Sequence, residues 1–224
     1  MCGRFNVSDS PALQSLLDEL GIDIGPVEPR YNIAPTEAVI TLYQQDEQAA
    51  MREMRWWLTP RWAKAPSQKY SMFNARAETV ASSRAFAQPF KTQRAIVPAS
   101  SFVEWQRSAD QKQPYLIAPE NNLLLFAAIW EHWQGDDQEI FSCAVLTCDA
   151  VPSFAHVHHR QPLMLPLEAV GVWLDPARAG EDVQHYLQPS LPAPLCVEAV
   201  DTSINNARNK VAPVPVGEKE WLAE

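Results

Sequence analysis

Glycine is scarce in this 224-residue chain, at seven residues against nineteen prolines, so its loops read as pinned rather than floppy. Its four cysteines, at 2, 143, 148 and 196, form no Cys-x-x-Cys pair, which argues against a zinc ribbon or a disulfide framework. Cys143 and Cys148 fall in an apolar stretch, five positions apart; on a strand that offset sends their side chains to opposite faces. Long apolar runs are missing too. The longest, Leu123 to Trp130, is eight residues, far short of a membrane span. Residues 1–10 are polar and lack the apolar segment of a secretory signal, so a cytoplasmic protein is expected. No internal repeat or low-complexity tract is present, and residues 1–224 read as one domain.

What is there begins with Met1-Cys2-Gly3. Methionine is normally trimmed before a small residue, which would leave Cys2 with a free α-amine beside its thiol. An α-amine titrates near 7.7–8.0 against roughly 10.4 for lysine, so much more of it is nucleophilic at neutral pH. An aldehyde meeting this pair can form an imine with the nitrogen, and the sulfur can then close a five-membered thiazolidine. A small buried cysteine fits the same letters.

Net charge is −9, which on its face argues against nucleic acid. The average hides an asymmetry. Between Arg52 and Arg94 nine basic residues face only Glu53 and Glu78, a net +7, leaving −16 for the remainder. The same segment holds Trp56, Trp57, Trp62, Tyr70, Phe73, Phe86 and Phe90. Cations for phosphates and flat rings for unstacked bases are what single-stranded nucleic acid requires. A solvated basic face over a tryptophan-rich core accounts for the composition equally well.

Ser10-Pro11 is an N-cap and first-turn pair, and Leu13, Leu16, Leu17 and Leu20 then follow helical spacing, predicting a helix over about 11–20. Residues 22–37 read as an irregular loop. Strand-like runs follow at about 38–43, 51–57, 95–105, 114–118, 123–129, 140–147 and 162–165. Helical patterns appear near 78–87, 151–156, 167–174 and 179–187. Strands dominate the middle and no βαβ alternation is evident. The expected fold is a single α+β domain with a curled, largely antiparallel, barrel-like sheet and peripheral helices.

Four further spots could carry chemistry. In Phe102-Val103-Glu104-Trp105, a strand would turn Glu104 to the same face as Phe102, where a carboxylate has a raised pKa suited to acid–base work. A glutamate at an exposed sheet edge fits the pattern as well. In His156-Val157-His158-His159-Arg160, His156 and His158 could share a strand face and ligate zinc, but no third ligand is obvious. One histidine moving a proton is the more economical reading. Asn74 can both donate and accept hydrogen bonds, so it could orient an amine or a thiol. Arg76 and Arg84 could line a phosphate groove. Asn205-Asn206-Ala207-Arg208-Asn209-Lys210 is weak as an isolated motif.

Taken in order, these pieces resemble the SRAP (SOS-response-associated peptidase) family. The likeness runs from Met1-Cys2-Gly3-Arg4-Phe5 through Arg30-Tyr31-Asn32-Ile33-Ala34-Pro35, Trp57, Pro60 and Trp62. It continues through Asn74-Ala75-Arg76-Ala77-Glu78-Thr79, Ser83-Arg84, Phe102-Val103-Glu104-Trp105 and His158-His159-Arg160-Gln161-Pro162 to Asn206-Ala207-Arg208-Asn209. The resemblance implies that Cys2, freed of Met1, traps the aldehyde of an abasic site in single-stranded DNA as a thiazolidine, without metal or organic cofactor. It implies that Asn74 holds the cysteine, Glu104 handles protons during imine formation, and His158 helps open the sugar. It places Arg4, Asn32, Trp57, Trp62, Arg76, Arg84 and Arg160 at the DNA. Such a protein crosslinks itself rather than turning over, with autopeptidase activity implied by the family name and secondary here, where Met1 alone precedes the cysteine. A monomer is expected, and replication-fork proteins are the candidate protein partners. Ser100-Ser101 departs from the family's usual acid–glycine pair, which puts the geometry beside Glu104 in question. The rival readings are a cysteine-type peptidase and a non-covalent reader of modified DNA bases.

Overall fold

The computed structural model describes residues 2–107 and 112–222; Met1 lies outside the described residues. The chain runs β1 (Phe5–Val7), α1 (Pro11–Glu19), β2 (Arg30–Ile33), β3 (Ala38–Gln45), β4 (Gln48–Trp56), β5 (Asn74–Arg76) and α2 (Ala87–Thr92). It continues β6 (Arg94–Ala99), β7 (Ser101–Arg107), β8 (Lys112–Pro119), β9 (Leu124–Gln134), β10 (Glu139–Asp149), β11 (Arg160–Pro162), α3 (Val170–Leu174), β12 (Leu195–Val200) and β13 (Pro215–Leu222).

Five strands, in the order β10-β4-β3-β6-β9, close into a barrel through the β9–β10 pairing. All neighbours are antiparallel except β10 with β4. A second sheet runs β13-β12-β8-β7-β1-β2 and is antiparallel throughout. The fold is thus α+β, mostly sheet, around one main hydrophobic core. Leu124–Ile129 is buried at every position because β9 has barrel interior on one side and packed chain on the other, which explains its unbroken apolar sequence. No helix is long and apolar enough to cross a membrane.

Helix α1 forms as its sequence predicts: the Ser10 hydroxyl accepts from the Leu13 N–H, Pro11 opens the first turn, and Leu13, Leu16 and Leu17 face inward. Elsewhere the structure corrects the sequence reading. Residues 30–33, read as loop, form β2 against β1. The single run 95–105 is two strands, because the chain bends at Ser100 and leaves the barrel for the second sheet. Residues 78–86 are turns, and the helix begins only at Ala87; Pro89 sits in its first turn, where the missing N–H costs nothing. Residues 152–157 are turns rather than a helix, while 167–174 is helical as expected. Arg94, 2% exposed, donates to the carbonyls of Phe90, Lys91, Trp173, Asp175 and Arg178, gathering the C-terminal ends of α2 and α3.

The barrel also fixes where the chain starts. Phe5 inserts edge-on against Trp56 (5.0 Å between ring centroids) and Phe126 (5.9 Å), deep in the core. Each such ring contributes roughly 1.5–3 kcal/mol by burial. Val103 N–H donates to Arg4 O and Ser100 N–H to Asn6 O, strapping residues 4–6 along β7. The register Phe5↔Phe102, continued two residues, sets Gly3 opposite Glu104.

Candidate active site

Strand alternation turns Phe102 and Glu104 to the core side of β7, while Val103 packs in a small separate cluster with Trp105 against it. Glu104 is only 2% exposed. Burial pushes its carboxyl up to about 7, partly offset by the chain's N-terminal charge, the Trp105 backbone and the Lys112 ammonium. A group titrating there can give or take a proton at neutral pH.

Cys2 lies within the field of Glu104. It is fully buried in the chain that carries Met1. Its sulfur is therefore closed to solvent in this form. Burial, and after it the Glu104 charge, push the thiol well above its ordinary range, so the sulfur is held as a thiol. Asn74, on β5, donates from Nδ2 to the Cys2 carbonyl oxygen at 2.7 Å. β5 is in turn fixed by parallel pairing with β10 through Val145↔Asn74.

His158 sits just before β11. The Arg160 N–H donates to its Nδ1 at 3.0 Å, and the Arg160 carbonyl oxygen is also 3.0 Å from that nitrogen. A neutral ring accepts at Nδ1 and keeps its proton on Nε2; a protonated ring donates to the carbonyl. The ring is thus held in either state. His159 stacks on it at 4.4 Å. His156 belongs to a turn, bonded to Ser153 O and Glu220, and shares no strand face with His158. Among the described residues no group of three or more His, Cys, Asp or Glu side chains could hold a metal ion.

A cleft of about 580 Å³ unites Glu104, His158, Arg76 and Phe73. Trp105, Gln106, Lys112 and His159 also line it. Sequence reasoning quoted Trp105 and His159 within motifs but gave them no role. Lys112 and Gln106 carried no signal, because pairing across the β7–β8 hairpin is what brings them there.

The expected DNA contacts divide. Arg76, Arg84 and Trp62 are exposed, with the Arg84 guanidinium 4.6 Å from the Trp62 ring centre. Trp57 is half-buried, its Nε1 donating to Ser67 O and its ring 5.5 Å from Phe73. Arg4 is half-buried over Trp105, 5.7 Å from the ring centre. Two residues sit differently from expectation. Asn32 is completely buried: its N–H donates to Asn6, and its Nδ2 reaches the carbonyls of Ile204, Asn206 and Asn209. Its φ of 52° is one that asparagine tolerates. Arg160, 7% exposed, points its guanidinium at Glu78 (2.8 and 3.0 Å), Asp149 (2.9 Å) and the Thr147 carbonyl. Arg160 therefore ties the turn after Asn74 to the strand after His158. The basic stretch is likewise thinner than its composition, since Arg94 is internal and Arg61 is paired to the buried Glu131.

Ser100-Ser101 fits without strain. Neither serine has a positive φ, and the Ser101 hydroxyl accepts from Asn6 Nδ2 at 2.8 Å, joining Asn6 and Asn32 in one buried network.

The site defines a class: a small β-barrel with a near-neutral carboxyl and a histidine lining one cleft, and a buried second residue held by an asparagine within the field of that carboxyl. The profile of the SOS response associated peptidase (SRAP) family matches residues 1–207, and the chain belongs to that family. It is 31% identical over 217 residues, 93% of this chain and 96% of the other, to the abasic site processing protein YoqW of Bacillus subtilis. It is 32% identical over 228 residues, 95% and 97%, to the abasic site processing protein YedK of Escherichia coli. A crystal structure from Bacteroides thetaiotaomicron superposes with a TM-score of 0.76 at 21% identity, over 90% of this chain and 93% of that one, a likeness of fold.

Proposed function

We propose that this protein processes abasic sites in single-stranded DNA by forming a covalent bond through Cys2 once Met1 has been removed. Relatives along nearly the full chain are named abasic site processing proteins, which supports the substrate. The observation that carries the chemistry is Asn74 bonded to the Cys2 carbonyl beside a carboxyl held near 7.

In the proposed sequence the Cys2 amine adds to C1 of the ring-opened sugar, giving a carbinolamine. Protonated Glu104 donates to the departing hydroxyl, which leaves as water, and a protonated imine forms that keeps the amine's remaining N–H. The thiol then adds to it: sulfur bonds to C1, the C=N π electrons pass to nitrogen, and the S–H proton goes to the Glu104 carboxylate, restoring the acid. The sum is aldehyde plus aminothiol to thiazolidine plus water, with no change of oxidation state. His158, as imidazolium, gives its Nε2 proton to the sugar ring oxygen as the C1–O bond breaks, the C1 hydroxyl proton passes to water to leave the aldehyde, and the neutral imidazole regains a proton from solvent. Asn74 fixes the Cys2 backbone so that one approach of the amine is favoured. A thiol kept protonated does not compete with the amine for the first attack. Arg76 and Arg84 meet phosphates, and Trp57 and Trp62 meet bases.

The test incubates Met1-trimmed protein with a single-stranded oligonucleotide carrying one abasic site, then resolves it on a denaturing gel. A retarded band that vanishes in Cys2→Ala and in protein with an uncleavable N-terminal extension supports the proposal. Absence of the band with trimmed wild type refutes it. Equal retention of DNA by Cys2→Ala under native conditions alone would favour a non-covalent reader.

A further inference from the structure

The proposed chemistry needs Glu104 and His158 at a fixed separation, yet the two reach the cleft from unrelated parts of the chain. Glu104 stands on β7, whereas His158 follows the turn formed by residues 152–157. On its C-terminal side His158 is set by β11, whose Arg160 pairs with Asp149 of β10. On its N-terminal side the turn belongs to no strand or helix. Phe154 and Val157 are buried beneath it, the Phe154 ring centre 5.9 Å from that of Phe102. Apolar packing has no direction, so it sets the depth of the turn and leaves its swing across the cleft open.

Directional bonds come from the sheet. Strand alternation puts Gln106 on the same face of β7 as Glu104, and the register Glu104↔Tyr115 puts Tyr115 beside them. Gln106 Nε2 donates to the His156 carbonyl oxygen at 2.9 Å, two residues before His158. The Tyr115 hydroxyl donates to Gln106 Oε1 at 3.3 Å, which orients the amide with its NH2 group toward the turn. The pairings Ile117↔Val197 and Val197↔Glu220 carry this same face across to β13, where Glu220 meets His156 Nε2 at 3.2 Å. His156 Nδ1 closes the turn on Ser153 O at 2.9 Å. The face that presents Glu104 therefore also grips the turn that leads to His158. Of these grips, Gln106 stands on the strand of Glu104 itself and lines the cleft with it.

We infer that Gln106 is a positioning residue: it ties the turn 152–157 to the strand of Glu104 and so sets the reach of His158 toward the sugar ring oxygen. The inference rests on the roles proposed above for Glu104 and His158 and adds to them a residue that acts through the turn. A primary amide suits the task because it donates and accepts at once, and brings no charge into a cleft whose proton transfers depend on neighbouring charges. Since His158 acts while the sugar opens and takes no part in the later bond formation, the tie matters for the closed sugar alone.

The experiment measures the rate of adduct formation at saturating DNA on two single strands. One carries an ordinary abasic site, whose sugar is closed most of the time; the other carries an acyclic aldehyde that cannot close. Gln106→Met keeps the length of the side chain and deletes its hydrogen bonds. It is expected to slow reaction with the abasic strand about tenfold, within the roughly hundredfold that a misplacement of about 1 Å can cost, and to leave the acyclic strand at the wild-type rate. Tyr115→Phe, which releases the amide and leaves its bond to the turn in place, should slow the abasic strand by a smaller factor and the acyclic strand not at all. In a His158→Ala background Gln106→Met should cost nothing further, because the two act as a unit. A Gln106→Met protein as fast as wild type on the abasic strand overturns the inference. So does one slowed equally on both strands, or one whose loss multiplies with that of His158→Ala. In each of these cases the wild type still forms its adduct and the DNA reading stands. A wild type that links to neither strand overturns both.

Discussion

Replacing Glu104 with glutamine should make this protein more stable and less reactive at once. The carboxyl moves from 4.5 to about 7 because it is buried, at 2% exposure. At about 1.4 kcal/mol per unit, ionising it in the native state costs about 3 kcal/mol more than in the unfolded chain. Between pH 4.5 and 7 the native state keeps a proton that the unfolded state has released. Wild-type stability therefore falls as pH rises through that window and levels off above it. Glutamine never ionises, so its loss is absent. At pH 4 the two proteins should unfold at similar urea concentrations. At pH 8 the variant should be more stable by up to about 3 kcal/mol, while its adduct with abasic DNA forms far more slowly. Urea unfolding at pH 4, 6 and 8, paired with adduct kinetics, reads both. A gap that does not widen between pH 4 and 8 would refute the reasoning, because the carboxyl would then carry no burial cost.

Asn74→Ala removes one hydrogen bond, worth roughly 1 kcal/mol of stability, yet should slow adduct formation by about tenfold to a hundredfold through loss of positioning; stopped-time gels with a thermal melt separate the two effects. Arg94→Leu takes a donor from five carbonyls, the contacts to Phe90 and Trp173 being buried, and should destabilise the fold by about 3–5 kcal/mol, measured by urea unfolding. With Arg76 and Arg84 meeting phosphates, the logarithm of single-strand affinity should fall against the logarithm of salt with a slope of about −1.4 or steeper, by about 0.7 per contact. Arg84→Ala should reduce that slope by about 0.7.

Local chemistry explains what the sequence made legible. The Ser10 cap and leucine spacing predicted α1 because every determinant lies within one turn of the helix. The face of Glu104 followed from strand alternation alone. The five-strand closure was not readable, since it depends on β9 and β10 pairing in the same barrel that brings β10 parallel to β4. The break at Ser100 was hidden for a similar reason: both halves of 95–105 are apolar, and only the two sheets they join distinguish them. Among candidate site residues, those facing outward were easier to interpret than those facing inward. Asn32 and Arg160 belong to conspicuous motifs, but their donors are engaged by segments over 170 and up to 82 positions away. Sequence proximity gives no hint of such partners. The burial of Cys2 is also a tertiary effect, set by Phe5 anchoring in the barrel and residues 4–6 running along β7.

The most direct test of the central claim is the intact mass of the DNA-linked protein, followed by fragmentation to locate the bond. The account predicts a mass equal to the Met1-free chain plus the abasic oligonucleotide less one water, with the added mass on Cys2. Attachment at a lysine, or a linked product that still retains Met1, would contradict it.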